Sequence, residues 1–309
     1  MLFHGATKVD NFNTVEEKLE AAGLNFLCEK KEAYFKKEEE YELIANQFHI
    51  MRTDTGNVIS KNTVSDGYKI LQNIAAFSWL DDLDTVASSQ IEYAGAFQDG
   101  ALVYMAVRQG KVALEENGAV LNFYVLLTNG HIGNKALVVK PIVTSTLNGT
   151  TVILGSGSPS SKVEKGIRHT KNMIVSMFEG ASSLKAFNNL NETFKETARE
   201  LSAAPCTKES AVEMFKSIFG ITEDSPDLTG RAETGLANKI AKFEELFLAA
   251  GGKSCWHAYH ASCEFITTER STRRANKDED VDTKRLESTL YGANSKTLNI
   301  ALVHALGLV

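Results

Sequence analysis

The residues best suited to chemistry lie in the middle of the chain, between positions 122 and 172. Apolar runs in this stretch read as strands, and small hydroxyl, amide and basic side chains follow them. The set comprises Lys140, Thr144, Thr146, Asn148, Arg168, Lys171 and Asn172. Cations neutralise phosphates, while hydroxyls and amides position a nucleic-acid backbone without reading its bases. The pattern therefore favours contact with a phosphate backbone over nucleophilic or metal chemistry.

The tightest group in this set is predicted to lie at the start of a long helix. Arg168, Lys171 and Asn172 are spaced i, i+3 and i+4, so they share one helical face. Free N–H groups at a helix N-terminus, together with two cations, would bind an anion there. A salt-bridged helix start without a ligand is the other interpretation of the same residues. Two arginines near the C-terminus, Arg273 and Arg274, extend the predicted DNA contacts.

Other motifs do not predict an enzyme. The Gly/Ser stretch at 155–161 lacks the Gly-Lys-Ser/Thr ending of a phosphate-binding P-loop. No Gly-x-Ser-x-Gly elbow and no paired-carboxylate motif is present. The segment 255–263 holds two cysteines and two histidines, but one helix cannot wrap four ligands around zinc. We therefore expect a buried helix there, no cofactor and no catalytic residue, although metal binding by this segment stays open.

Three aromatic residues, Tyr68, Phe97 and Tyr104, lie on or beside predicted strands. Proteins that bind single strands use such side chains to stack on bases. Aromatic residues on strands also fill hydrophobic cores, and this second interpretation is the more common one.

Composition limits the kind of partner. The net charge is -6, so any nucleic-acid binding must come from a local basic stripe on an acidic body. No run approaches the roughly 20 apolar residues of a membrane helix, and the first residues do not resemble a signal peptide. The four cysteines are scattered, which is typical of a reducing cytoplasm. We expect a cytoplasmic protein with no membrane partner.

The elements that must position these residues predict an α+β fold. Short alternating strands separated by Asp-Gly turns indicate an antiparallel sheet, and helical periodicity dominates afterwards. The predicted elements are a helix at 15–28 with a Thr14–Glu17 capping box, a solvated connection at 30–40, a hairpin at 47–71, a helix from position 73, strands at 91–97, 101–108, 122–127, 136–143 and 151–154, a long helix from about 165, and helices at 211–219, 234–250 and 296–306. We divide the chain into an α+β core domain, 1–204, and a helical C-terminal region, 205–309.

Several short segments together resemble a phage- and plasmid-borne family catalogued as domain of unknown function nine-three-two. They are 67–73 with Phe77, 93–97, 141–143 with 146–148, the run Ile167-Arg168-His169-Thr170-Lys171-Asn172, 256–270, and 290–292 with Lys296. The resemblance covers most of the chain. The family name carries no activity, but the setting of the family implies DNA metabolism of mobile elements in a bacterial host.

The predicted order of hairpin, helix, three-stranded meander and long helix is similar to the core of Rad fifty-two type single-strand annealing proteins. This resemblance implies a ring or filament that holds single-stranded DNA in a basic groove by its backbone. Our leading hypothesis is a single-stranded DNA-binding and annealing protein of a phage or plasmid, a homo-oligomer acting in recombination, replication or repair. A phage exonuclease or a host single-strand binding protein is a possible partner. The alternative is a protein-binding module that counters a host defence or restriction factor.

Overall fold

The computed structural model of this chain describes residues 3–60, 62–81, 90–132, 137–158, 165–167, 173–221, 230–270 and 280–309. In chain order the elements are β1 (Thr7–Lys8), α1 (Val15–Ala21), β2 (Cys28–Lys37), β3 (Glu40–Arg52), β4 (Val64–Ser65), α2 (Asn73–Phe77), β5 (Gln90–Phe97), β6 (Leu102–Ala113), β7 (Val120–Gly130), β8 (Leu137–Leu147), β9 (Thr150–Gly155), β10 (Lys165–Ile167), α3 (Met173–Ala203), α4 (Lys208–Ile218), α5 (Arg231–Ala250), α6 (Cys255–Glu264), α7 (Val281–Tyr291) and α8 (Ala293–Leu306).

The strands form two antiparallel sheets. In the larger sheet the order is β1-β5-β6-β7-β8-β10, and β9 also pairs with β8. The smaller sheet has the order β2-β3-β4. Every strand pair is antiparallel, and helices dominate the chain after β10. The predicted α+β class is confirmed.

Both faces of the larger sheet are buried. Successive side chains of a strand point to opposite faces, and on β6 Val103 and Met105 alternate with Tyr104 and Ala106. Val103 and Met105 belong to a core cluster shared with α1, α2 and the smaller sheet. Tyr104 and Ala106 belong to a second cluster that also contains buried residues of α4 to α8. Strands of the predicted core domain and helices of the predicted C-terminal region thus share one hydrophobic cluster, while the division at 204 stays a prediction.

Most predicted elements are present. The first helix is confirmed with its capping box, in which the Thr14 side chain accepts from the Glu17 N–H group, although the helix ends at Ala21. The meander is formed by β5, β6 and β7, and β8 and β9 follow as predicted. Helix α7 was not predicted, because only Leu286 and Leu290 supply apolar side chains to its buried positions.

Two predicted elements are wrong. Residues 30–40 do not form a solvated connection, because β2 pairs with β3 from Cys28 to Lys37 and turns at Glu38 and Glu39. The predicted hairpin at 47–71 is present in part, because after the turn Val58 bridges to Met51 and β4 pairs with Gln47 and Phe48, although residues 67–71 form no strand. The long helix also does not begin at 165, because β10 occupies Lys165–Ile167 and pairs with β8. Among the described residues, none of the helices is long and apolar enough to cross a membrane.

Candidate nucleic-acid interface

Two of the predicted phosphate contacts lie inside the protein. Lys140 on β8 is buried, and its ammonium donates to the Leu290 carbonyl and to the Ser295 hydroxyl, each over 2.7 Å. Thr144, also on β8, is completely buried. A group that is closed off from solvent offers no surface to a phosphate. These two residues are therefore removed from the predicted interface.

Two further predicted contacts lie at the turn between β8 and β9. The Thr146 hydroxyl oxygen lies 2.8 Å from that of Thr151 across the strand pair. Asn148 has a φ of 49°, in the left-handed region that asparagine tolerates better than most residues. Its amide donates to the carbonyls of Ala249 and Ala250, over 3.0 and 3.2 Å. Asn148 thus satisfies carbonyls at the end of α5, which is a structural role.

The remaining predicted contacts, Arg168, Lys171, Asn172, Arg273 and Arg274, lie outside the described residues. Their contact with phosphate stays a prediction from the sequence. The described part of the chain therefore does not bring the predicted set together on one surface.

Two of the three aromatic residues considered for stacking belong to the core, which is the interpretation that the sequence analysis favours. Phe97 and Tyr104 are buried, and their rings stack with centroids 5.2 Å apart. Burial raises the pKa of the Tyr104 phenol well above its usual range. Tyr68 is partly exposed, but its hydroxyl donates to the Gly130 carbonyl over 3.3 Å. The rings of Phe97 and Tyr104 therefore form no open platform for bases.

The polar run that follows the apolar part of β7 is also internal. Asn129 donates to the Leu71 carbonyl over 2.8 Å and to the Asn73 side chain over 3.0 Å. The Nε2 atom of His131 lies 2.9 Å from the same oxygen of Asn73. All three residues are completely buried. This network fixes the start of α2 against the end of β7.

The segment 255–263 forms α6 and is almost entirely buried. Burial lowers the pKa of His260 to about 4 and raises the pKa of the Cys263 thiol far above its usual range. Thiols with a raised pKa are poor metal ligands, because a metal binds the thiolate. Within the described residues, no group of three or more histidine, cysteine or acidic side chains could hold a metal ion.

Among the described residues, the most exposed aromatic side chains lie at the distal end of the β2–β3 hairpin. We call residues 34–43 the hairpin arm. Strand β4 pairs only with Gln47 and Phe48 of β3, so no third strand of the described chain reaches the arm. The exposed fractions are 51% for Tyr34 and Leu43, 44% for Phe35 and 70% for Tyr41. Large apolar groups exposed together indicate an interaction surface.

The pairing register divides the hairpin arm into two faces. Tyr34 lies opposite Leu43, and Lys36 lies opposite Tyr41, so the strand period of two places all four side chains on one face. We call this the tyrosine face. The Tyr34 hydroxyl donates to Glu32 over 2.8 Å, and this bond raises the pKa of the phenol.

The opposite face of the arm carries Phe35, Lys37, Glu40 and Glu42. There the Lys37 ammonium pairs with the Glu42 carboxylate over 2.8 Å. Lys36 on the tyrosine face has no ion pair within the described chain, so its charge is available to a partner.

The sequence analysis does not predict this surface of the hairpin arm. The signal for it was the placement of aromatic residues at 34, 35 and 41 inside a charged run, since aromatic residues favour strands.

Comparison with known proteins identifies one family model. The model is described as Domain of unknown function (DUF932), and it matches residues 61–290. No curated protein and no solved structure matches the chain. The match begins after the hairpin arm and ends inside α7.

Proposed function

This chain belongs to the DUF932 family, whose name assigns no activity, and we propose from its own residues that it binds and anneals single-stranded DNA. The protein acts as a homo-oligomer in the recombination, replication or repair of phage or plasmid DNA. The tyrosine face of the hairpin arm is the observation that carries the proposal. Neither a cofactor nor catalysis is needed for this activity.

The tyrosine face combines the two features that single-strand binders use. Tyr34 and Tyr41 are diagonal neighbours on adjacent strands, where such pairs lie about 7–8 Å apart. Each exposed ring can stack on one base, which contributes about 1–3 kcal/mol per base. Lys36 lies beside Tyr34 on the same strand and opposite Tyr41, where its ammonium can neutralise a phosphate between stacked bases.

Additional phosphate contacts are assigned to Arg168, Lys171 and Asn172, and to Arg273 and Arg274. These assignments rest on the sequence alone. Lys140 and Thr144 take no part because they are buried, and Asn148 is already bonded to the end of α5. Stacking on base faces and contacts to the backbone both leave base edges free to pair, which is the requirement for annealing.

A second candidate function is the protein-binding module that counters a host defence factor. Leu43 exposes half of its surface on the tyrosine face, and an aliphatic side chain suits a protein partner. The hairpin arm also carries four glutamates and two lysines, so it is locally acidic. An acidic arm repels phosphates and attracts a basic protein surface.

The first experiment measures the binding of a fluorescent single-stranded oligonucleotide by anisotropy at several salt concentrations. We expect Tyr34→Ala with Tyr41→Ala to weaken binding by at least about tenfold, from the loss of two stacking contacts. Phe35→Ala on the opposite face is the matched control and should leave affinity unchanged. If the unchanged protein does not bind the oligonucleotide at low salt, the DNA proposal fails.

The second experiment tests assembly and the alternative partner. Electron microscopy with and without a long oligonucleotide should show rings or filaments that change when DNA is added. For the alternative, the same variants are used to capture proteins from a nuclease-treated host lysate. Capture of one host protein that depends on Tyr34 and Tyr41, without any DNA binding, would replace the DNA proposal with the protein-binding one.

A further inference from the structure

The outer edge of strand β2, on the side away from β3, is covered only at its first residue. There the Gln72 side chain accepts from the Cys28 N–H group over 2.9 Å and donates to the Cys28 carbonyl over 2.8 Å. The main-chain groups of Cys28 therefore point away from β3. Within the described residues, no main-chain hydrogen bond reaches the rest of β2 from any segment other than β3. The outer edge is thus open from Glu29 to Lys37.

The strand period shows which residues present their main chain at this open edge. In an antiparallel pair, opposite residues alternate between pointing toward each other and pointing away. Lys30 lies opposite Ile50, whose N–H group donates to the Ser60 hydroxyl and whose carbonyl accepts from the Ile59 N–H group. Because Ile50 points away from β2, Lys30 points away from β3, as Cys28 does.

The turn of the hairpin arm gives the same assignment from the other end. Lys37 and Glu40 flank the two-residue turn at 38–39, so these two residues exchange main-chain hydrogen bonds with each other. Lys36, the next residue along the strand, must then point outward. The residues that present both N–H and C=O groups at the open edge are Lys30, Glu32, Tyr34 and Lys36.

The side chains of the last three outward residues form a self-complementary pattern. They share one face of the strand, and the Glu32 carboxylate accepts from the Tyr34 hydroxyl on that face over 2.8 Å. A negative charge thus precedes Tyr34 by two residues, and the positive charge of Lys36 follows it by two. When the strand is turned around Tyr34 and laid beside itself, each charge meets one of opposite sign.

We propose that two copies of this chain join through the outer edges of their β2 strands, which pair antiparallel across a two-fold axis at Tyr34. Such a contact is isologous, so the same edge serves both copies. Glu32 of each copy then lies opposite Lys36 of the other, and the two Tyr34 side chains lie side by side. Each of these three outward pairs exchanges two main-chain hydrogen bonds.

Charge selects this register over its neighbours. Outward residues stay opposite outward residues only when the axis moves by whole residues along the strand. An axis at Ala33 would set Lys30 opposite Lys36, and an axis at Phe35 would set Glu32 opposite Glu38. Like charges directly opposite each other destabilise a strand pair, whereas opposite charges stabilise it. Among these three registers, only the axis at Tyr34 pairs opposite charges on this face.

The other face of the joined strands is also compatible with this register. It sets the exposed Phe35 of each copy opposite Ala33 of the other, which is an apolar pair. Lys31 and Lys37 also face each other there. Each of these lysines is already paired with a glutamate of its own chain, over 3.0 and 2.8 Å, so their mutual repulsion is reduced.

This inference rests on the homo-oligomer of the proposed function and names one contact within it. Because the arms run in opposite directions, the two folded bodies lie at opposite ends of a four-stranded sheet. One face of that sheet carries Tyr34 and Tyr41 from both copies, so edge pairing leaves the stacking rings accessible. An exposed ion pair is weak, so a phosphate can replace Glu32 as the partner of Lys36.

The test is sedimentation equilibrium of the whole chain without DNA, at concentrations up to millimolar. We expect a weak dimer, because one strand edge from each copy is a small contact. Lys36→Glu sets like charges opposite each other at two places and should weaken the dimer by at least about tenfold. Adding Glu32→Lys restores opposite charges and should return the affinity to within about threefold of the unchanged protein. Glu40→Lys on β3 is the matched charge reversal away from the edge and should leave dimerisation unchanged.

A cross-link tests the position of the axis. Tyr34→Cys places one thiol from each copy in the same hydrogen-bonded pair, where Cα atoms lie about 5.5 Å apart and a disulfide fits. The four natural cysteines are buried, so they should not compete. With glutathione disulfide as the oxidant, we expect a covalent dimer from this variant. Leu43→Cys, on the same face but on β3, is the control and should stay monomeric under denaturing conditions.

Three results would overturn the contact. They are a monomer at millimolar concentration, a dimer that Lys36→Glu does not weaken, and a double variant that stays as weak as Lys36→Glu. Misfolding cannot imitate restoration by a second substitution. A monomer that still binds the oligonucleotide would reject this contact and retain DNA binding, whereas a dimer that binds no oligonucleotide would do the reverse.

Discussion

The ammonium of Lys140 donates to the main-chain carbonyl of Leu290 over 2.7 Å, which joins the middle of β8 to the C-terminal part of α7. The same ammonium donates to the Ser295 hydroxyl at the start of α8. A cation that the sequence suggests for phosphate binding is therefore an internal link between the sheet and the last two helices.

We expect Lys140→Ala to lower the free energy of unfolding by about 2–4 kcal/mol, because charge-assisted hydrogen bonds are lost and buried acceptors are left unsatisfied. Urea unfolding followed by circular dichroism measures the change. Lys36→Ala on the hairpin arm is the matched control, since this lysine is exposed, and its unfolding midpoint should not move. An unchanged midpoint for Lys140→Ala would show that the link contributes nothing to stability.

Two substitutions at Asn148 separate the free-energy cost of its backbone conformation from the contribution of its hydrogen bonds. Asn148→Ala loses both bonds to α5 and places a Cβ-bearing residue without a local hydrogen bond at a φ of 49°. Asn148→Gly loses the bonds but adopts this conformation without strain. We expect the alanine variant to be less stable than the glycine variant by about 1 kcal/mol. Thermal unfolding would contradict this account if the two variants melted at the same temperature.

His260 should make stability depend on pH. Burial lowers its pKa from an ordinary value near 6.5 to about 4 in the folded protein. The unfolded chain therefore binds more protons than the folded protein between about pH 6.5 and 4, and stability falls as the pH decreases through this range. The full contribution is roughly 3 kcal/mol, from about 1.4 kcal/mol per pKa unit.

The measurement for His260 is urea unfolding at pH values from 7 down to 4. His260→Gln should flatten the dependence, because the titrating group is removed. His304→Gln, in the partly exposed part of α8, is the matched control and should leave the slope unchanged. A slope that is equally steep in the His260→Gln variant would assign the effect to other groups.

The sequence predicts the larger sheet well because its strands and turns have distinct local residue patterns. Apolar runs bounded by the Asp99-Gly100 turn are enough to place β5 and β6, since both faces of the sheet are buried but the turn is polar. The hairpin arm has no such contrast. Both of its faces are exposed, so Tyr34 and Phe35 follow each other with lysines beside them, and no alternation of apolar and polar residues appears.

The site residues were harder to predict because burial of a polar side chain depends on distant partners. Lys140 reads as a surface cation, since lysine is rarely buried without a partner, and its partners lie 150 and 155 residues later in the chain. The residue pattern within one segment carries no information about contacts with segments that are distant in the chain.

The hairpin arm offers a direct comparison of the two proposed functions. Lys36→Ala removes a cation and Leu43→Ala removes an apolar group, and both side chains lie on the tyrosine face. If the arm binds DNA, Lys36→Ala should weaken oligonucleotide binding and reduce the slope of log affinity against log salt by about 1, because one phosphate contact is lost. Leu43→Ala should then have little effect on either quantity. If the arm binds a protein, the effects are reversed, because Leu43→Ala weakens capture of the partner while a single exposed lysine contributes little.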